Sequence, residues 1–220
     1  MTIPAAPLVA GRVSVTEMLC ELAKVRPVFH SEADLQYSFA RLLWEKAPEV
    51  HARLEARQPG EAREYLDVLC IGPESQTAIE FKYWTRRWTG AAGDPVEEYD
   101  LKYHAATDLV RRNFVFDIER LERFGTGRNQ NGLAIILTND ESLWVVPQEG
   151  RAPTRDRDFR IHEGRTVTGT LLWGGGDYPG NTRMLAGRYD LAWHPYSELP
   201  GPNGSFRYLV VETLASRARS

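Results

Sequence analysis

The order of segments along this chain predicts a mixed α/β (α+β) domain, and three observations carry that expectation. Two short amphipathic stretches with helix-capping signals come first, followed by three strand-like runs within residues 50–82. A longer amphipathic stretch, about 104–124, then leads into GLAIILT at 132–138, a continuous apolar run of strand length. Helix, strand meander, helix and buried strand therefore succeed one another in residues 31–147. Residues 148–220 read as a β-rich C-terminal extension packed on that core, within a single domain spanning 1–220.

Composition narrows the class. A chain of 220 residues, 42% hydrophobic and 26% charged, can bury a core of ordinary size. Its net charge of −3 supplies no global basic field, so any nucleic-acid affinity has to come from local Arg and Lys clusters. Two cysteines, Cys20 and Cys70, cannot build a disulfide framework or a cysteine zinc site, and both are expected as buried thiols. The first twelve residues lack the basic and apolar regions of a secretory signal. No stretch has the apolar length of a membrane span, so a cytoplasmic protein with no membrane partner is expected.

In order, Ser14 with Glu17 forms a capping-box signal for a helix to about Val25, striped by Val15, Met18, Leu19 and Leu22. Pro27 stops it. A second helix begins at Ser31, with Asp34 in the reciprocal position and Leu35, Phe39, Leu42 and Leu43 as its buried face, and ends at Pro48. Glu32 lies in its first turn, where an acid also suits the helix dipole. Val50, Ala52, Leu54 and Ala56 alternate with polar residues as a strand does, with a helix as the alternative because Ala and Glu are indifferent strand formers, and Gln58-Pro59-Gly60 reads as a turn.

Residues 65–82, YLDVLCIGPESQTAIEFK, read as a hairpin with a four-residue connection at 72–75. Ile71 then pairs with Gln76, and Asp67 falls opposite Glu80, with Lys82 one same-face position on. Like charges directly opposite in a sheet repel. A hard divalent cation with oxygen ligands, Mg²⁺ or Mn²⁺, would resolve the conflict. The Gly-Asp-Pro stretch beyond Trp84 and Trp88 looks loop-like. The long helix that follows buries Val110, Phe114, Ile118 and Leu121, with Gly125 as its C-cap. Beyond the apolar run, a turn at Asn139-Asp140 introduces a strand at 143–146. Residues 148–164 form a loop or lid, strands are expected at 166–173, 188–193 and 206–212, and the segments between them are loops.

This succession, with Glu32 on the first helix, Asp67 on the second strand and Glu80-Phe81-Lys82 on the third, resembles the PD-(D/E)XK nuclease superfamily, in an uncharacterised bacterial branch. The likeness covers roughly residues 31–147, and Leu66 stands where the eponymous Pro would be. It implies a restriction-endonuclease-like αβββαβ core, with a mixed central sheet flanked by helices. It also implies a metal-dependent nuclease, a hydrolase of phosphodiester bonds using Mg²⁺, for which Mn²⁺ substitutes. Asp67 and Glu80 would hold the ion together with the Phe81 backbone carbonyl. Lys82 would orient the attacking water and offset developing negative charge. Glu32 would hold a second ion or its water. Ala at Asp67, Glu80 or Lys82 is expected to abolish cleavage. DNA is the expected partner ahead of RNA, and a homodimer is compatible with the resemblance.

Trp84, Arg86, Arg87 and Trp88 interleave rings and guanidiniums just past that site, a pattern suited to stacking on bases and holding phosphates and equally to a core-edge Trp pair. Arg111 and Arg112 read as a solvated helix face, and Arg151, Arg155, Arg157 and Arg160 as a solvated loop. The histidines show no zinc spacing, and GxSxG and P-loop patterns are absent. The alternative is a catalytically inactive module of the same fold that binds nucleic acid or a partner protein. A third reading is a structural protein whose hairpin acids are incidental.

Overall fold

The structure is a computed structural model that describes residues 6–58, 64–124, 129–148, 150 and 153–214. The turn expected at Gln58-Pro59-Gly60 and the C-cap at Gly125 lie, wholly or in part, outside those residues. A small hairpin, β1 (Leu8–Val9) and β2 (Val13–Ser14), opens the chain. Helix α1 (Val15–Val25) is capped by Ser14, whose Oγ accepts the Glu17 N–H at 3.3 Å. Helix α2 (Glu32–Lys46) is capped by Ser31, whose Oγ accepts the Asp34 N–H at 3.2 Å. Each cap satisfies an otherwise orphaned donor and contributes about 1 kcal/mol.

Strands β3 (His51–Arg57), β4 (Tyr65–Ile71), β5 (Gln76–Trp84) and β8 (Gln130–Thr138) follow, with the hairpin β6 (Trp88–Ala92) and β7 (Glu97–Leu101) and helix α3 (Thr107–Phe124) between the last two. Helix α3 crosses from β5 to β8, which run parallel, while β3, β4 and β5 form an antiparallel meander. The six-stranded mixed sheet has the order β11-β12-β8-β5-β4-β3, with β11 (Trp193–Glu198) and β12 (Ser205–Leu214) supplied by the C-terminal part. That part therefore does more than pack on the core, because β12 completes the antiparallel edge of β8. Strands β9 (Thr166–Leu171) and β10 (Arg183–Asp190) form a separate hairpin.

Alternation along the strands sends side chains to two cores. Ile79, Phe81, Tyr83, Leu133, Ile135 and Leu137 face α1 and α2. Ala78, Ala134, Ile136, Leu209 and Val211 face α3 and the packing aromatics Phe159, Trp173 and Trp193. Gly132 sets the approach of α3: a Cβ there would come within 2.7 Å of the Leu121 Cβ. With no side chain at that point, the helix lies close against the sheet.

Several expectations need correction. The Gly-Asp-Pro segment is only the turn of the β6/β7 hairpin, whose Trp88, Tyr99 and Leu101 are buried, so the flanking residues are strands. Residues 143–146 are no strand, because Asp140 caps a 3-10 turn at Glu141–Leu143 through the Ser142 N–H. The strand expected at 188–193 is two strands, β10 and β11, and part of the presumed HPYSELPGPNG loop lies in β11. Leu54 is 45% exposed on the edge strand β3, and Cys20 is exposed while Cys70 is buried.

Candidate functional site

Ile71 pairs with Gln76, Cys70 with Thr77, Leu69 with Ala78 and Val68 with Ile79, which is the register expected from the four-residue connection. The ladder stops there, one position before Asp67 and Glu80 would pair. Beyond that point β5 still has backbone donors to satisfy. The Asp67 Oδ2 accepts the Phe81 N–H at 2.7 Å, and the Glu32 Oε2 accepts the Tyr83 N–H at 2.8 Å. Two carboxylates thus continue the ladder where the strand leaves off. This explains physically why Glu32, on α2, is drawn to the end of β5.

Glu80 and Lys82 point to the α3 face of the sheet. Glu80 is 2% exposed and forms an ion pair with Arg120. Its Oε1 is buried and has no hydrogen-bond partner among the described residues. The Lys82 Nζ lies 2.8 Å from Asp117 Oδ2 and donates to the Phe81 carbonyl at 3.0 Å. Arg120 also reaches Asp117 Oδ1 at 3.0 Å. Two cations and four acids therefore converge at one corner of the sheet.

Their electrostatics follow from burial and crowding. Burial, then Asp67 and Asp117, push the Glu80 carboxyl up to about 9, against the pull of Arg120 and Lys82. Burial raises the Glu32 and Asp117 carboxyls too, and Lys82 is the chief opposing influence on each. For Lys82 burial acts downward, but Asp117 and Glu32 outweigh it and hold the ammonium above the ordinary lysine value. Lys82 is thus a firmly protonated group, unsuited to act as a free-amine base.

The donors at this corner are all oxygen, and one of them, Glu80 Oε1, is an orphaned buried acceptor. Oxygen donors of this kind are the ligand type a hard divalent cation takes. The Phe81 carbonyl is engaged by Lys82. Among the described residues, no group of three or more His, Cys, Asp or Glu side chains is arranged to hold a metal ion. A cleft of about 560 Å³ opens beside the cluster, lined by Glu32, Lys82, Trp84, His104 and Asn113 among others.

Sequence reasoning missed Asp117 and Arg120. A signal existed: Val110, Phe114, Asp117, Leu121 and Phe124 recur at the spacing of one helix face, which makes Asp117 a buried acid in an apolar stripe. Of the candidate nucleic-acid residues, Trp84 is half-buried in the cleft and packs on His104 at 4.9 Å. Arg87 is exposed and only loosely paired with Asp100 at 3.9 Å. Arg86 is bound to the buried Asp140 at 3.1 Å and lies over Tyr103. Trp88 is a correction: it is 3% exposed and its Nε1 donates to the Pro200 carbonyl, so it is an internal anchor with no face for a base. Arg111 is also a correction, being buried and bonded to Asp156 Oδ2 and the Ser142 carbonyl, both at 2.6 Å.

Compared with protein-family models, curated proteins and solved structures, the chain gives no match in any of the three. No helix among the described residues is long and apolar enough to cross a membrane.

Proposed function

We propose that this chain is a Mg²⁺-dependent phosphodiesterase that cleaves nucleic acid, DNA ahead of RNA. The observation that carries the reading is the convergence of Glu32, Asp67, Glu80 and Lys82 at the frayed end of the β4/β5 ladder, with one Glu80 oxygen buried and unused. Asp67 and Glu80 are the residues to hold the ion. A bound Mg²⁺ or Mn²⁺ would supply Lewis-acid charge for the phosphate. Lys82 keeps its proton and sets a positive charge beside the phosphoryl oxygens, with Asp117 and Glu32 fixing its position. Trp84 lines the cleft, where a base could stack, and the exposed Arg87, paired loosely with the cleft residue Asp100, could hold a phosphate beyond it.

The test is a cleavage panel of single-stranded, duplex and branched DNA and RNA, with Mg²⁺, Mn²⁺ or chelator. Asp67→Asn is the informative variant, because its amide oxygen can still accept the Phe81 N–H while the charge is gone. Metal-dependent cutting by the wild type, lost in Asp67→Asn, Glu80→Gln and Lys82→Ala, supports the reading. Equal cutting by these variants defeats it.

A second reading, a non-catalytic nucleic-acid or protein-binding module of this fold, is favoured by one contact. Arg120 already occupies Glu80, so the cluster carries its own counter-charge. Titration with Mn²⁺ separates the two: a site lost in Asp67→Asn favours the enzyme, and no heat of binding favours the module.

A further inference from the structure

A cavity of about 810 Å³ lies away from the carboxylate cluster, where the chain leaves β8. Its floor carries Arg157, Arg160, His162 and Arg165, and its wall carries the exposed Val145 and Val146. The segment bearing the arginines is no solvated loop. Phe159 is fully buried and meets Trp173 edge-on at 5.3 Å, Ile161 is fully buried, and Asp156 is 2% exposed. The guanidiniums therefore project from a base fixed to the core below α3.

Among the described residues, charge in this cavity is unbalanced. Asp156 is already committed to the buried Arg111 at 2.6 Å, and Arg160 reaches the same oxygen at 3.3 Å. The Asp158 carboxylate accepts the Leu172 N–H at 2.9 Å, and Arg165 donates to the Asp158 backbone carbonyl at 3.0 Å. Arg165 Nε is buried with no hydrogen-bond partner, and the Arg157 side chain has no ion pair among the described residues. Burial pushes the Arg165 guanidinium below its ordinary value, and Arg160 and Arg157 add repulsion against the pull of Asp158. Among the described residues, Glu141 is the one carboxylate that lines the cavity.

We propose that this cavity binds a phosphate monoester carried on an apolar or aromatic body of nucleotide size. Guanidiniums present planar donor pairs that match phosphate oxygens, and a dianion compensates more of the excess charge than a carboxylate can. The volume falls within the range of small-molecule sites, and Val145 and Val146 offer an apolar wall to the body of the ligand. The source of the phosphate is either a free nucleotide or the phosphorylated end of a strand. The site does not depend on the metal-dependent reading of the carboxylate cluster.

The test is calorimetric titration of the whole chain in chelator, so that no metal at the carboxylates contributes. The probes are inorganic phosphate, adenosine 5′-monophosphate, adenosine, and one oligonucleotide with and without a 5′-phosphate. The expected result is saturable binding of the monophosphate, with adenosine at least about tenfold weaker. Arg157→Ala, at an exposed position, should weaken the monophosphate by at least about tenfold without shifting the melting temperature, and Arg165→Gln should do the same if it folds. A 5′-phosphorylated oligonucleotide that outcompetes the mononucleotide identifies the strand end as the source, and equal affinity identifies the free nucleotide. The proposal is overturned if no phosphate-bearing probe binds. It is equally overturned if adenosine binds as well as its phosphate, or if Arg157→Ala leaves affinity unchanged.

Discussion

The acids at the end of β5 and the arginines beyond β8 are both crowded charges, yet they are held by different means. Asp67 and Glu80 stand on strands, and Asp67 and Glu32 are locked by the β5 backbone itself. Arg157, Arg160 and Arg165 stand on an irregular segment that owes its position to Phe159, Ile161 and the Arg111–Asp156 pair. In the first cluster the charge excess is partly answered inside the protein by Arg120 and Lys82. In the second, among the described residues, the cations exceed the carboxylates left to face them. The contrast teaches that a strand can hold a charge in place through its own hydrogen-bonding pattern, whereas a loop needs a buried anchor to do so.

Substitutions can sharpen or break that contrast. The largest effect is expected from Glu80→Gln or Lys82→Ala, which should lower metal-dependent cleavage by more than about 10²-fold in the nuclease panel. Unchanged cleavage would leave the acid cluster a structural feature only. Next in size is Arg111→Ala, which leaves the buried Asp156 only its longer Arg160 contact and the Thr154 hydroxyl. The expected cost is about 1.5–3 kcal/mol, read as a drop in denaturant midpoint. The same variant should disorder the arginine cavity while sparing the carboxylate corner, because Arg111 bonds only on the cavity side.

The pH dependence gives a smaller effect with a definite sign. Burial and the neighbouring acids raise the folded Glu80 value from 4.5 to about 9, against the opposing pull of its Arg120 pair. Between those values the folded chain binds more protons than the unfolded one, so this group makes stability fall as pH rises. Glu80→Gln cannot titrate and is expected to flatten that fall, measured as melting temperature across pH 5–9 in chelator (roughly the window between the two values). A slope identical to the wild type would remove burial and crowding as the cause. Smallest is Arg87→Ala: its pair with Asp100 is exposed, so the melting temperature should not move. Nucleic-acid affinity should weaken modestly, with a shallower salt dependence.

Much of the architecture could be read before any coordinates. Ser14 and Ser31 cap their helices as their spacing indicates, and Ile71 and Gln76 set the hairpin register, because these are local hydrogen-bonding choices. The β6/β7 hairpin was hidden by its Gly-Asp-Pro turn, which outweighed the short alternating flanks. Trp88 could not be distinguished from an exposed ring until Pro200, more than a hundred residues away, took its Nε1. Asp117 was legible only in part, since its stripe could be counted but the lysine opposite it could not.

By itself the sequence determined the helix starts, the period-two strands and the in-phase placement of Asp67, Glu80 and Lys82, all of which depend on residues close along the chain. Only the tertiary structure decided that Glu32 reaches Tyr83, that α3 brings Asp117 and Arg120 down onto the acids, and that a loop of arginines is nailed to the core. Those outcomes depend on how close α3 lies to β8 over Gly132, and on which buried partner each charge finds. Such distances arise from packing between distant segments, which no local pattern encodes.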